Sequence, residues 1–423
     1  MSLRHRRGIF LGLALLASVS ASAAQKHAVL ALDGDVPLVH VPAEPGSSIS
    51  SFRFIVRAGG FQDPPGKEGL AHLLEHLIFH GSYEMPGGEL WRTMRARGAV
   101  VNAFTSTSAT VYTLDAPHDA FLPLMEQYTA LITNPALRLA QVERERDVVA
   151  VEQRERNLVS LLEIMDAHVF QDRVGELLIG TRDTRATITL EDIIAFYQRY
   201  YSSSNVSVVV VSRASGDDVR AALNRSFLLP PEPPRAPETM DAEPLLPLDQ
   251  KTRSWVTATL FGYRMPDGEI EACEDIAALL DHRVHRRLVM EDPVASFTHV
   301  LCRRTRGRTF LLAVAFTANL LGSNIPVDAE EIFRHAARKP PSEAELRVIR
   351  ARNASELAAL RRHSDALATV LALRVAETPG PPDAAASQVL RPPALNWERM
   401  RAVMQQAFQA QNRVVLHYSP FEG

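Results

Sequence analysis

Gly69-Leu70-Ala71-His72-Leu73-Leu74-Glu75-His76-Leu77-Ile78-Phe79-His80-Gly81 decides how the rest of this chain is read. Leu70, Leu73, Leu74, Leu77 and Ile78 recur at helical spacing around the polar residues His72, Glu75 and His76, which predicts a helix over 69–79. Four residues apart, His72 and His76 lie on one helix face, one turn from each other, and can share a metal ion. Neutral imidazoles suit zinc, and the adjacent Glu75 carboxylate, not itself a ligand, can take a proton from water that the metal has made more acidic. A pair of helix histidines standing alone is more often structural, so the assignment needs a third ligand and a matching context.

The segment Glu143-Arg144-Glu145-Arg146-Asp147-Val148-Val149-Ala150-Val151-Glu152 supplies carboxylates for that purpose. Seven residues apart on a helix, Glu145 and Glu152 share a face, so one can bind the metal and the other can orient the site. Carboxylates beside a ligating histidine commonly fix its tautomer, a role that suits Glu145. The same acidic run could be a solvated face paired with its own arginines, and Glu155 is the next carboxylate available. His80, His118, His168, His282, His285 and His299 stand in no ligand spacing tied to the site, so surface or core roles are expected for each.

The 69–81 stretch resembles the signature of the pitrilysin, insulin-degrading and mitochondrial processing peptidase family. That resemblance implies Glu152 as third zinc ligand and Glu145 as an accessory glutamate. Asn102-Ala103-Phe104-Thr105-Ser106 is similar to the family's substrate-binding edge strand, which implies that peptide adds as a strand beside Asn102, Ala103 and Phe104. Ile188-Thr189-Leu190-Glu191-Asp192 resembles the helix start before the family's last N-terminal strand. The implied fold is two similar α+β domains, each a mainly antiparallel sheet flanked by helices, facing across a chamber. One departure stands out. Active relatives carry an arginine and, seven residues later, a tyrosine in the second domain, where an ungapped reading of 288–295 puts Val289 and Ser296, with Arg286, Arg287 and Phe297 nearby. The family's His-Pro-Tyr-like stretch is also missing between Phe170 and Gly180.

Composition agrees with an exported globular protein. At 423 residues, 46% hydrophobic and 22% charged, the chain has material for two sizeable cores. Arg4, Arg6 and Arg7 precede an apolar run, Ile9 to Val19, too short to span a bilayer, and Ala21 and Ala23 satisfy a cleavage rule, so residues 1–24 are expected to be a signal peptide and the protein periplasmic or secreted. The net charge of −3, more negative still without those arginines, argues against a nucleic-acid partner. Cys273 and Cys302 could pair in an oxidising compartment or remain two buried thiols.

Around the motif, strands are expected at 28–32, 37–41 and 49–57, where Phe52, Phe54 and Val56 alternate with mostly polar neighbours. A helix at 88–97, strands at 100–105 and 109–114, helices at 120–132 and 140–170, and a capped helix at 189–201 leading into a strand at 207–212 complete an N-terminal zinc-bearing domain, 25–228. Prolines crowd 229–248, the expected linker. The C-terminal domain, 249–423, repeats the plan without the metal motif: strands at 254–263 and 310–317, helices at 342–362 and 396–411, and a last strand at 413–418. The resulting expectation is a zinc endopeptidase acting on short or unfolded polypeptides, with one zinc per chain. It is expected to work as a dimer, and the empty arginine and tyrosine positions point to a heterodimer with a homologous chain that lacks the zinc motif. The competing expectation is a non-catalytic peptide-binding or assembly subunit of the same fold. A third is an enzyme dedicated to processing one small modified peptide.

Overall fold

A computed structural model describes residues 27–155, 161–170, 178–230, 243–254, 256–317, 325–378 and 380–420. The expected signal peptide and most of the expected linker lie outside these residues, as does 171–177, most of the stretch where the His-Pro-Tyr-like motif is missing.

β1 (Ala28–Ala31), β2 (Pro37–Pro42), β3 (Ile49–Val56), β4 (Val100–Thr105), β5 (Thr110–Pro117) and β6 (Val206–Ser212) form one sheet in the order β1-β2-β6-β3-β5-β4. β7 (Leu248–Ser254), β8 (Ala258–Arg264), β9 (Phe297–Thr305), β10 (Arg308–Phe316) and β11 (Arg413–Pro420) form a second, ordered β7-β11-β8-β10-β9. Each sheet is antiparallel apart from one parallel pair, β2 with β6 and β7 with β11. The α+β class and the resemblance between halves therefore hold.

The helices are α1 (Leu70–Ile78), α2 (Gly87–Ala96), α3 (His118–Thr133), α4 (Leu139–Glu155), α5 (Leu161–Phe170), α6 (Arg182–Thr187), α7 (Leu190–Tyr200) and α8 (Gly216–Ser226) in the first half. The second half holds α9 (Ile270–His285), α10 (Ile325–Ala336), α11 (Glu343–Arg362), α12 (Ser364–Glu377), α13 (Pro382–Leu390) and α14 (Trp397–Ala407). α1, α3 and α8 pack on Phe52, Phe54, Val208 and Val210 of the first sheet. Its opposite face, Val39, Ile55, Val209 and Val211, is covered by α12 and α13 from the other half.

That exchange accounts for what periodicity misjudged. The alternation in β3 predicts a polar, solvated face, yet Ser51 and Arg53 are buried, and β6 is buried at every position because helices cover both sides. Arg53 is satisfied there by Asp115 at 2.9 Å, the Asp365 carbonyl at 2.9 Å and Thr369 at 3.1 Å, so a charge sits between sheet and helix without an unmet donor. In return α5 packs on the second sheet, with Leu161, Met165 and Val169 beside Leu260, Phe310 and Leu416. The helix expected over 140–170 is described as α4 and α5, which serve different sheets, and 156–160 between them lie outside the described residues. The strand expected over 254–263 is β8, which starts at Ala258, and β7, on the far side of β11 in the sheet, was not expected. The helix expected over 396–411 ends at Ala407. Cys273 on α9 and Cys302 on β9 form a disulfide, which resolves the alternative left open by sequence.

α1 is fixed by its entry. Asp63 accepts the amides of Gly69 at 2.7 Å, Leu70 at 3.1 Å and Ala71 at 2.8 Å, capping the helix from upstream where no side chain at the N-cap itself can do so. Gly69 (φ +95°) and Gly180 (φ +71°) bring two backbone segments together, and a Cβ on either would stand 2.3 Å from the Ile179 carbonyl or 1.9 Å from the Glu68 carbonyl. Gly66 shares the positive φ but faces open space. Gly69→Ala and Gly180→Ala are each expected to destabilise by about 3 kcal/mol or more, and Gly66→Ala by about 1–2 kcal/mol, in urea unfolding. Equal costs at all three positions would contradict the close approach.

Candidate metal centre

α1 packs against α4, and the contact brings His72, His76 and Glu152 together. The two imidazoles stand edge to face with centroids 4.7 Å apart. Glu152 Oε2 is 3.6 Å from His72 Nε2 and 3.3 Å from His76 Nε2. Ligands at about 2.0–2.1 Å from a tetrahedral ion are separated by about 3.3–3.4 Å, so these atoms are spaced to surround one zinc. Two imidazoles and a carboxylate are also a donor set used by catalytic zinc sites, with a fourth position left for water or substrate. Among the described residues, no other trio of histidine, cysteine or carboxylate side chains comes this close together.

Glu145 lies one layer out. Its Oε2 is 3.0 Å from His76 Nδ1 and its Oε1 is 2.7 Å from His80 Nε2. A carboxylate can only accept, so His76 donates from Nδ1, which leaves Nε2, on the Glu152 side, as the nitrogen that would bind a metal once its proton is displaced. Burial disfavours charge on His76, but the hydrogen-bonded carboxylates of Glu145 and Glu152 outweigh it and push its pKa up to about 9. Burial likewise opposes ionisation of Glu145, and the two imidazoles pull it down to about 2. Glu145 is thereby held as an anion at neutral pH.

Glu75 is 6% exposed and receives a 2.6 Å hydrogen bond from Thr105 Oγ1 at the end of β4. β4 is the free edge of the first sheet, and Asn102 lines, with Glu75, His76, His80 and Trp91, a cleft of about 480 Å³. Ala103 is buried on the α1 side, while Phe104 is half-buried and packs with the opposite, α12-covered face. Asn102 thus borders the cleft, and the side chains of Ala103 and Phe104 point elsewhere.

Two site neighbours escaped the sequence reading. His80 belongs to neither surface nor core but bonds Glu145; its spacing of four from His76 was the available signal. Thr105 sits in the quoted 102–106 stretch, but nothing local shows that it meets a residue 30 positions earlier. In the second half, Val289 is half-buried against the core, Ser296 Oγ bonds the Phe316 carbonyl at 3.2 Å, and Arg286 and Arg287 pair with Glu291 and Asp292. Glu155's side chain lies outside the described residues.

Residues 38–182 match the family described as Insulinase (Peptidase family M16), and residues 187–291 match Peptidase M16 inactive domain. The zinc protease PqqE of Helicobacter pylori is 28% identical over 207 residues, 48% of this chain and 47% of that protein. The matched segments span a fifth to about half of the curated relatives' own lengths. The crystal structure of a protease from Helicobacter pylori superposes with a TM-score of 0.75 at 20% identity, over 94% of this chain and 100% of that one. The first half of the periplasmic protease PqqL from Escherichia coli gives 0.71 at 18% identity, over 93% and 92%. The chain belongs to the insulinase (M16) peptidase family.

His72→Ala, His76→Ala and Glu152→Ala are each expected to abolish stoichiometric zinc binding, while Glu75→Gln retains it. Glu145→Ala should weaken affinity by about 10- to 100-fold in a chelator competition. Full zinc retention by Glu152→Ala would move the third ligand to another carboxylate.

Proposed function

We propose that this chain is a zinc-dependent endopeptidase that hydrolyses short or unfolded polypeptides. The observation that carries the reading is the convergence of His72, His76 and Glu152 beside Glu75, at the open edge of β4. When bound, zinc polarises the scissile carbonyl and acidifies water. Glu75 accepts the proton that the attacking water gives up and returns it to the departing amine, the usual double duty of such a carboxylate. His76, held by Glu145, keeps its ring oriented through the cycle. Peptide adds as a strand along 102–104 through backbone hydrogen bonds, so side chains are read weakly.

The cleavage of a mixed peptide library by the purified chain, compared with Glu75→Gln, tests this. Zinc-dependent products that vanish in the variant are expected. Zinc binding with no products under any condition would favour the second reading, a peptide-binding subunit. What favours that reading is the second half, where the ungapped reading puts Val289 and Ser296 in the arginine and tyrosine positions and Arg286 and Arg287 form local ion pairs.

The same feature leads us to propose a heterodimer in which a homologous chain without the zinc motif supplies the missing donors. Loss of one oxyanion donor costs about 10²- to 10³-fold in rate, so adding that partner should raise kcat by a comparable factor. Full activity of the isolated chain, unchanged by the partner, would contradict this. An exported location, with 1–24 removed, is supported by the Cys273–Cys302 disulfide, and no helix among the described residues is long and apolar enough to cross a membrane.

A further inference from the structure

We infer that Thr105 is a positioning residue for Glu75, so that a single strand, β4, sets both the register of the peptide and the aim of the general base. The inference rests on the peptidase reading given above. Thr105 Oγ1 donates to Glu75 Oε2 at 2.6 Å, within the range of a hydroxyl bonded to a carboxylate, and both groups are buried. A glutamate on a helix has three rotatable side-chain bonds, and a hydrogen bond from a hydroxyl fixed on a neighbouring strand restricts its rotamers.

Thr105 is itself held. It is paired with Thr110 in the β4 to β5 register, and their hydroxyls stand 3.4 Å apart. Thr110 Oγ1 spends its proton on the Ala58 carbonyl at 2.9 Å, so it cannot compete as a donor to Glu75 through Thr105. Behind it, the Tyr112 and Tyr201 hydroxyls are 2.6 Å apart in the core. The wall behind the base is thus a set of hydroxyls from β4, β5 and the C-cap of α7, and Thr105 is the member that reaches the carboxylate. Its neighbour two residues before in the chain, Ala103, and the cleft-lining Asn102 lie on the same six-residue strand. A shift of β4 that displaced bound peptide would displace Glu75 with it.

Thr105→Val keeps the shape and removes the donor; Thr105→Ser keeps the donor. With zinc content and thermal midpoint measured on both, Thr105→Val is expected to lower kcat about 10- to 100-fold with KM nearly unchanged, and Thr105→Ser to recover most of the loss. Crystal structures of the zinc-loaded wild type and Thr105→Val provide a readout that needs no turnover: the Glu75 carboxylate should rotate away from its wild-type position in the variant. Unchanged kcat in Thr105→Val, or an unmoved Glu75, would overturn the inference. If the wild-type chain cleaves no peptide, the peptidase reading fails on its own and the carboxylate position alone decides the role of Thr105, a rotated carboxylate supporting it and an unmoved one overturning it.

Discussion

The fit of α1 against α4 is the constraint on which the rest depends. Two imidazoles one turn apart are easy to write into a helix, but a carboxylate must arrive from a second helix with its oxygen 3.3 and 3.6 Å from two separate nitrogens. An error of one ångström in the packing would dissolve that spacing. The molecule spends its strongest local restraints there: three amide hydrogen bonds from Asp63 fix where α1 starts, and two glycines let 178–181 close on its first turn. The leucines of α1 are fully buried, so rotation about the helix axis would expose apolar surface at about 25 cal/mol per Å². Buried packing therefore sets the direction of the histidines before any metal is considered.

The interlocking of the halves extends that rigidity. α12 and α13 cover the back of the first sheet while α5 covers the second; at one crossing Arg53 of β3 donates to the Asp365 carbonyl and Thr369 of α12, and at the other Asp166 of α5 pairs with Arg303 of β9. A buried charge with its partners removed costs several kcal/mol, so these contacts resist separation of sheet and helix more than they add to net stability. The arrangement ties β4, the strand nearest the site, to a sheet that is packed on both faces.

Much of the site was legible because its chemistry is local. His72, Glu75 and His76 fall within one helical turn and a half, and Glu145 and Glu152 lie in one short run, so spacing alone groups them. The α+β class was legible for a similar reason, since the Val-rich β6 and the amphipathic α1 declare their periods. What remained hidden is non-local. Arg53 looks like a solvent-facing strand residue because the helix that buries it lies some 310 positions later. His80 and Thr105 look ordinary until Glu145 and Glu75 fold onto them. That α4 and α5 serve different sheets is invisible to periodicity, because both segments are helical.

The central claim is that two helices place three donors around a single zinc, with Glu145 and His80 standing outside it. Anomalous diffraction at the zinc edge from crystals grown with zinc tests this directly. The account predicts a single strong peak about 2.0–2.1 Å from His72 Nε2, His76 Nε2 and a Glu152 carboxylate oxygen. A peak held between His80 and Glu145, or no peak among His72, His76 and Glu152, would contradict it.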